Sequence, residues 1–189
     1  MLKKNLIASI VVIVVVATLL WSCASIPPKA QAVKNFDVKR YLGTWYEIAR
    51  FDFRFEKNLD NTSAQYSLDD DGGINVLNSG YNFVKNKWTK AEGKAKFRGD
   101  TTVAELKVSF FGPFYSGYNV VALDADYQYA LVAGKNLDYL WILAREKTIP
   151  ESVKTNYLNV AQQIGYDTSR LIWVKHDRND NPFFINRGD

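Results

Sequence analysis

The chain has 189 residues, 14% of them aromatic, and a formal charge of +4. That length suits one domain with a real core, and the modest charge, with no run of five like-charged residues, gives no reason to expect nucleic acid as a partner. Short runs of Val, Tyr and Phe favour strands over a helical bundle, and the single cysteine, Cys23, excludes an internal disulfide.

Lys3 and Lys4 precede an apolar run from Leu6 to Leu20. This is the layout of an export signal, and it is short for a bilayer span of roughly 20 residues. The run meets Leu20-Trp21-Ser22-Cys23, which resembles a bacterial lipobox with an uncommon Trp in its second position. The resemblance implies a signal peptide over 1–22, cleavage before Cys23 and acylation of that cysteine, leaving 22 basic against 20 acidic residues, or +2. Each buried acyl CH₂ contributes about 0.8 kcal/mol, so several chains hold a protein on a membrane. The alternative is an uncleaved signal anchor with a buried cysteine. Residues 23–34, with Pro27-Pro28 and small polar neighbours, read as a lipidated tether. Ala24 rather than Asp after the cysteine resembles the sorting pattern for an outer membrane.

The domain is expected over 35–175. Gly43, two residues before Trp45, marks a crowded backbone where a large flat side chain enters a core. Beyond it the side chains alternate with period two. In Lys90 to Arg98, Ala91, Gly93, Ala95 and Phe97 alternate with Lys90, Glu92, Lys94, Lys96 and Arg98; next, Ala104, Leu106, Val108 and Phe110 alternate with Glu105, Lys107 and Ser109. Asp70-Asp71-Gly72-Gly73 is a hairpin signal and Gly112-Pro113 a second break. Eight strands are predicted, at about 43–51, 62–69, 73–80, 87–98, 103–111, 117–124, 128–133 and 138–144. Short turns and one wet face make an antiparallel meander, and eight strands are enough to close it.

A helix follows. Thr148-Ile149-Pro150-Glu151 has capping-box spacing, Val153, Tyr157, Val160, Ala161 and Ile164 fall on one stripe, and Gly165 ends it. A short ninth strand, Leu171 to Val174, is expected beside the first, and the tail 176–189 is left without a place.

Three stretches carry a resemblance: Asn35 to Arg50, Lys107 to Tyr115 and Asp138 to Arg145. With them, 36–175 resembles a lipocalin, and within that superfamily the bacterial outer-membrane lipoprotein lipocalins that are also similar to apolipoprotein D. The resemblance implies an all-β, eight-stranded up-and-down barrel with one helix outside. It also implies that Gly43, Trp45 and Arg145 close one end, the guanidinium lying over the indole. The family's turn motif after the sixth strand is altered here to Leu123-Asp124-Ala125-Asp126-Tyr127.

What the barrel holds is the functional question. The inward candidates Ala64, Ala91, Gly93, Ala95 and Ala130 are small and leave volume unfilled. The expected lining adds Tyr66, Ile74, Val76, Asn78, Phe97, Leu106, Val108, Phe110, Tyr115, Val132, Tyr139, Trp141 and Leu143. These faces carry no Lys or Arg and no carboxylate, so a charged head group is expected near the open end. There the loop Asp52 to Lys57 forms the rim, with Phe53 and Phe55 either at the mouth or folded back. The expected guest is a fatty acid or a lysophospholipid, for lipid transport, storage or scavenging in an outer membrane; the alternatives are a filled barrel serving as scaffold, or a lipid-modifying enzyme. No catalytic group, metal ligand or cofactor site is expected: Cys23 lies before the domain and His176 after its last strand. The pairing of two copies as a homodimer stays open.

Overall fold

The structure, a computed structural model, describes residues 26–184; the expected signal peptide and Cys23 lie outside the described residues. Asp37 starts a one-turn helix, α1 (Val38–Tyr41), by accepting from the Lys39 amide. Gly43, at φ 94°, then turns the chain into β1 (Gly43–Phe51), a left-handed conformation in which a Cβ would be strained. The strands that follow are β2 (Leu59–Leu68), β3 (Ile74–Asn82), β4 (Lys87–Phe97), β5 (Glu105–Phe111), β6 (Phe114–Leu123), β7 (Tyr129–Ala133) and β8 (Leu140–Ala144). Neighbours pair antiparallel in chain order, and β1 pairs with both β8 and β2, so the sheet closes on itself as the alternation predicts. The turns 69–73, 98–104 and 124–128 lie at the end sealed by α1; the loops 52–58, 83–86, 112–113 and 134–139 lie at the other.

Helix α2 (Glu151–Ile164) packs outside. Tyr157, Ala161 and Ile164 bury against Ile48, Ala49, Leu131, Leu140 and Ile142, the outward residues of β1, β7 and β8. Gly165 takes φ 113° and its amide closes the last turn on Ala161 and Gln162. The expected capping box does not form: Pro150 is the N-cap and no side chain bonds the first turn. A residue before proline is steered away from helical φ/ψ, so Ile149 cannot be helical and Thr148 lies too far upstream to cap. Strand β9 (Leu171–Trp173) pairs with β1 at Ala49 to Phe51, on the edge that β2 leaves after Tyr46.

Two segments differ from expectation. Residues 26–34 are not a free tether. Pro27 and Ala30 are buried, the Val33 amide donates to Val120 O at 2.9 Å, and the Ala104 amide donates to Val33 O at 3.0 Å. The tail, from Val174 to Phe184, crosses the outside of β1, β2 and β3. Asn61 grips it: its Oδ1 accepts from the amides of Asp177 and Arg178, both at 2.9 Å, and its amide donates to Lys175 O at 2.8 Å. Farther on, Asn181 donates to Ser79 Oγ at 2.8 Å and Gln65 to Phe183 O at 3.0 Å. His176, which follows the last strand, is half-buried, with Nε2 2.9 Å from Glu47 O.

Asn61 holds φ 54°, so two variants separate its contributions. Asn61→Gly keeps the backbone and loses the side-chain bonds, and should lower stability by about 1–3 kcal/mol; Asn61→Ala should lose more, because alanine resists left-handed φ. Thermal unfolding and limited proteolysis of 176–184 would check both. Equal melting temperatures for Asn61→Gly and the unaltered chain would show that the tail contributes nothing.

Candidate ligand-binding site

The floor of the barrel is built by α1. The indole of Trp45 has no exposed surface; its Nε1 donates to Tyr41 O at 2.8 Å, and the Arg145 guanidinium lies 3.9 Å from the ring centroid. That guanidinium also donates to three carbonyls: Thr44 O at 2.7 Å, Arg40 O at 2.9 Å and Tyr127 O at 3.2 Å. Stacking of this kind is worth about 0.5–2 kcal/mol, and the three bonds fix α1, β1 and the 124–128 turn to one point. The altered turn is intact: Asp124 caps it by accepting from Gln128 and Tyr129, and the Tyr127 hydroxyl accepts from the Asp37 amide. Above Trp45, the hydroxyl of Tyr118 is hydrogen-bonded to those of Tyr41, at 2.8 Å, and Tyr66, at 2.9 Å. Burial raises the pKa of all three phenols, so each stays protonated.

Trp45, Ala64, Asn78 and Ala91 stand opposite one another on four consecutive strands, which sets the inward face. Toward the floor the expected lining is packed solid: Ala64, Tyr66, Ile74, Val76, Ala95, Leu106, Ala130, Val132 and Leu143 are buried in one cluster, and Phe97 packs edge-on to Phe36. Toward the open end the packing stops. Ala91 is exposed although it faces inward, and Gly93, Val108, Phe110, Tyr139 and Trp141 are only half-buried. Ala91 faces this unfilled half, whereas Gly93 is a spacer whose missing Cβ makes room for the Phe110 ring and the Ser109 carbonyl, and Ala64, Ala95 and Ala130 are spacers in the solid half. Tyr115, expected in the lining, faces outward with Lys107 Nζ 5.1 Å from its ring, because Tyr118 and Ser116 stand opposite inward Leu106 and Val108 and alternation along β6 turns the next residue out. An open trough of about 1420 Å³ crosses the barrel wall over Tyr46, Gln65, Leu77 and Lys94, and its lining also includes the inward residues Tyr66, Val76, Gly93 and Phe110.

The main correction concerns charge. The interior holds two carboxylates and a guanidinium. Glu47 stands opposite Leu143 and Arg50 opposite Trp141, on the inner face; both are buried. Glu56 folds in from the 52–58 loop, 3.4 Å from Arg50 Nε, and accepts from Trp141 Nε1 at 3.3 Å. Arg50 Nη2 donates to Glu56 O and Leu59 O, at 2.8 and 3.1 Å, which pins the loop over the mouth. Glu47 Oε1 lies 3.4 Å from Arg50 Nη1 without a hydrogen bond, and the buried Thr62 Oγ1 and Asn78 Oδ1 also lack partners. Phe53 folds back edge-on to Tyr139 and Trp141, while Phe55 turns out against Phe111. Glu47, Arg50 and Glu56 have one sequence signal: they are three of the five charges, with Asp52 and Arg54, spaced through the aromatic-rich run from Trp45 to Glu56.

One guanidinium cannot neutralise two buried acids. Loss of water pushes Glu56 up to about 7 against the pull of Arg50, and burial together with Glu56 raises Glu47. Between the ordinary glutamate value of 4.5 and about 7, the folded protein keeps a proton that the unfolded chain releases, so stability is full below that window and falls as pH rises through it. His176 acts in the opposite sense, since burial lowers its pKa. The comparison of variants therefore isolates the acid. Thermal unfolding across the window should show Glu56→Gln gaining on the unaltered chain by on the order of 2 kcal/mol at its upper end. Parallel curves would mean that Glu56 is ionised throughout.

Residues 36–176 match the family model described as a lipocalin-like domain. The chain is 57% identical over 171 residues to the "Outer membrane lipoprotein Blc" of Citrobacter freundii, covering 89% of this chain and 97% of that one. It is 33% identical over 152 residues to apolipoprotein D of Mus musculus, covering 76% and 79% of the two chains. Among solved structures, insecticyanin from the tobacco hornworm Manduca sexta superposes with a TM-score of 0.63 at 22% identity, over 78% of this chain and 85% of that one, a likeness of fold alone. A closed eight-stranded barrel with one helix outside, a tryptophan floor under an arginine, and the match over 36–176 make this chain a member of the lipocalin family.

Proposed function

We propose that this protein is a lipid-anchored lipocalin that takes one acyl chain into the open half of its barrel, for transport, storage or scavenging of a lipid at the outer membrane. The single observation that carries the reading is the contrast between a solid floor and an upper half where inward Ala91 stays exposed beside half-buried Val108, Phe110 and Trp141. An unfilled apolar space favours an apolar guest. Burial of about 0.8 kcal/mol per CH₂ against an association cost of order 4–15 kcal/mol favours chains of about sixteen carbons over short ones.

The polar cluster discriminates between head groups. Arg50 bonds two main-chain carbonyls through Nη2 and lies 3.4 Å from both acids, while its Nε and Nη1 form no hydrogen bond. Those donors suit a phosphate, and Glu47 Oε1, Thr62 Oγ1 and Asn78 Oδ1 beside them offer acceptors to an ammonium or hydroxyl, a mixture that favours a zwitterionic lysophospholipid over a fatty acid.

Two relatives, from Citrobacter freundii and Escherichia coli, carry the name outer membrane lipoprotein. With the lipobox-like stretch before Cys23, this supports the same placement here. Among the described residues no helix is long and apolar enough to cross a membrane.

Filling the space tests the binding site. Ala91→Trp should weaken lysophospholipid binding tenfold or more, about 1.4 kcal/mol, in a calorimetric titration, with little change in melting temperature; unchanged affinity would place the ligand elsewhere. For the anchor, Cys23→Ser should leave the barrel folded and shift the protein out of the membrane fraction, and retention there would favour an uncleaved segment.

A further inference from the structure

The open end carries a feature that ligand binding inside the barrel does not need. Each of its four loops presents a large apolar side chain to solvent: Phe55, Phe83 with Val84, Phe111 with Phe114, and Leu137. Phe114 is 78% and Phe111 65% exposed. Folded chains seldom leave such a concentration of apolar tips at one end without a use for it. The same loops and their flanks carry Arg54, Lys57, Lys85, Lys87 and Lys135 against the acids Asp52 and Asp138, Glu56 being turned inward. The sealed end has the opposite balance: its turns carry Asp69, Asp70, Asp71, Asp100, Asp124 and Asp126 against Arg98, with Asp37, Lys39 and Arg40 at α1 and Lys94 paired to Asp69.

We infer that the open end is a docking surface for a bilayer containing anionic phospholipid. The tips are arranged as a ring around a hole. A fluid surface conforms to such a ring, whereas a rigid partner would have to reach across the mouth to touch all four loops. Aromatic side chains favour the boundary between head groups and acyl chains, and lysines and arginines beside them favour anionic head groups. The acidic turns point the sealed end away from such a surface. A barrel seated this way opens onto acyl chains rather than water, so a lipid tail enters or leaves without crossing the aqueous phase. The inference concerns the outside of the mouth and does not depend on which lipid the barrel holds.

The full chain, which remains attached to a membrane through either an acylated Cys23 or its N-terminal apolar run, is reconstituted into vesicles of phosphatidylcholine alone or with phosphatidylglycerol. Spin labels are placed by Val84→Cys, Phe114→Cys and, at the sealed end, Asp70→Cys; the unsubstituted chain labelled in parallel supplies the background from Cys23. On vesicles with phosphatidylglycerol, labels at 84 and 114 should lose collisions with a water-soluble nickel chelate and gain them with oxygen, while the label at 70 stays wet. Lys57→Glu combined with Lys85→Glu should abolish that immersion. The inference fails if 84 and 114 remain as wet as 70, if immersion is the same with and without phosphatidylglycerol, or if rim labels couple to each other in detergent, which would make the rim a contact between two copies of the chain. Circular dichroism establishes that each variant keeps the barrel. Absence of docking by a chain whose rim charges are unaltered, with lysophospholipid affinity intact, would refute this inference and leave the binding site standing.

Discussion

The contact between Arg145 and Trp45 organises the molecule. A sheet becomes a vessel only if one end is sealed, and here the seal is an indole with no exposed surface under a guanidinium 3.9 Å away. Arg145 stands just after the end of β8 and Trp45 near the start of β1, so the contact that plugs the floor also joins the two strands whose pairing closes the barrel. With α1 and the linked hydroxyls of Tyr41, Tyr118 and Tyr66 stacked on it, the lower half is as dense as any core. Whatever space the barrel offers is therefore confined to its upper half.

That upper half is not uniformly greasy. Isolated buried charges cost several kcal/mol each, and this barrel tolerates three because they are grouped and because the acids can retain a proton. Arg50 also bonds the carbonyls of the 52–58 loop, so the charged cluster and the loop over the mouth form one unit. The state of the cluster and the shape of the entrance are coupled as a result.

Much of this was legible in the residues. Alternation with period two located all eight barrel strands to within a few residues, and the stripe from Tyr157 to Ile164 located α2. The errors have more than one cause. An irregularity in the pairing between Glu47 and Ala49 shifts the phase of β1, bringing both Glu47 and Arg50 to the inner face, where strict alternation would send Arg50 outward. Such a shift depends on what the neighbouring strand does, which no single strand's pattern records. Tyr115 has a simpler cause: with Tyr118 and Ser116 inward, plain alternation along β6 turns it out. The tail was illegible for another reason: it has no periodicity and is held by hydrogen bonds from Asn61, Ser79 and Gln65, residues that look like ordinary polar positions on a wet face.

The segment before the barrel carries one more consequence. Because Ile26 packs and Pro27 and Ala30 are buried against the body, Cys23 stands three residues before the first packed side chain, a separation of roughly 10 Å at most. An acylated Cys23 would then moor the barrel like a boat on a short painter. It could pitch and swivel, but it could not drift a body's width from the bilayer. Each meeting of barrel and lipid becomes a matter of rotation instead of search, at an effective concentration no free carrier reaches.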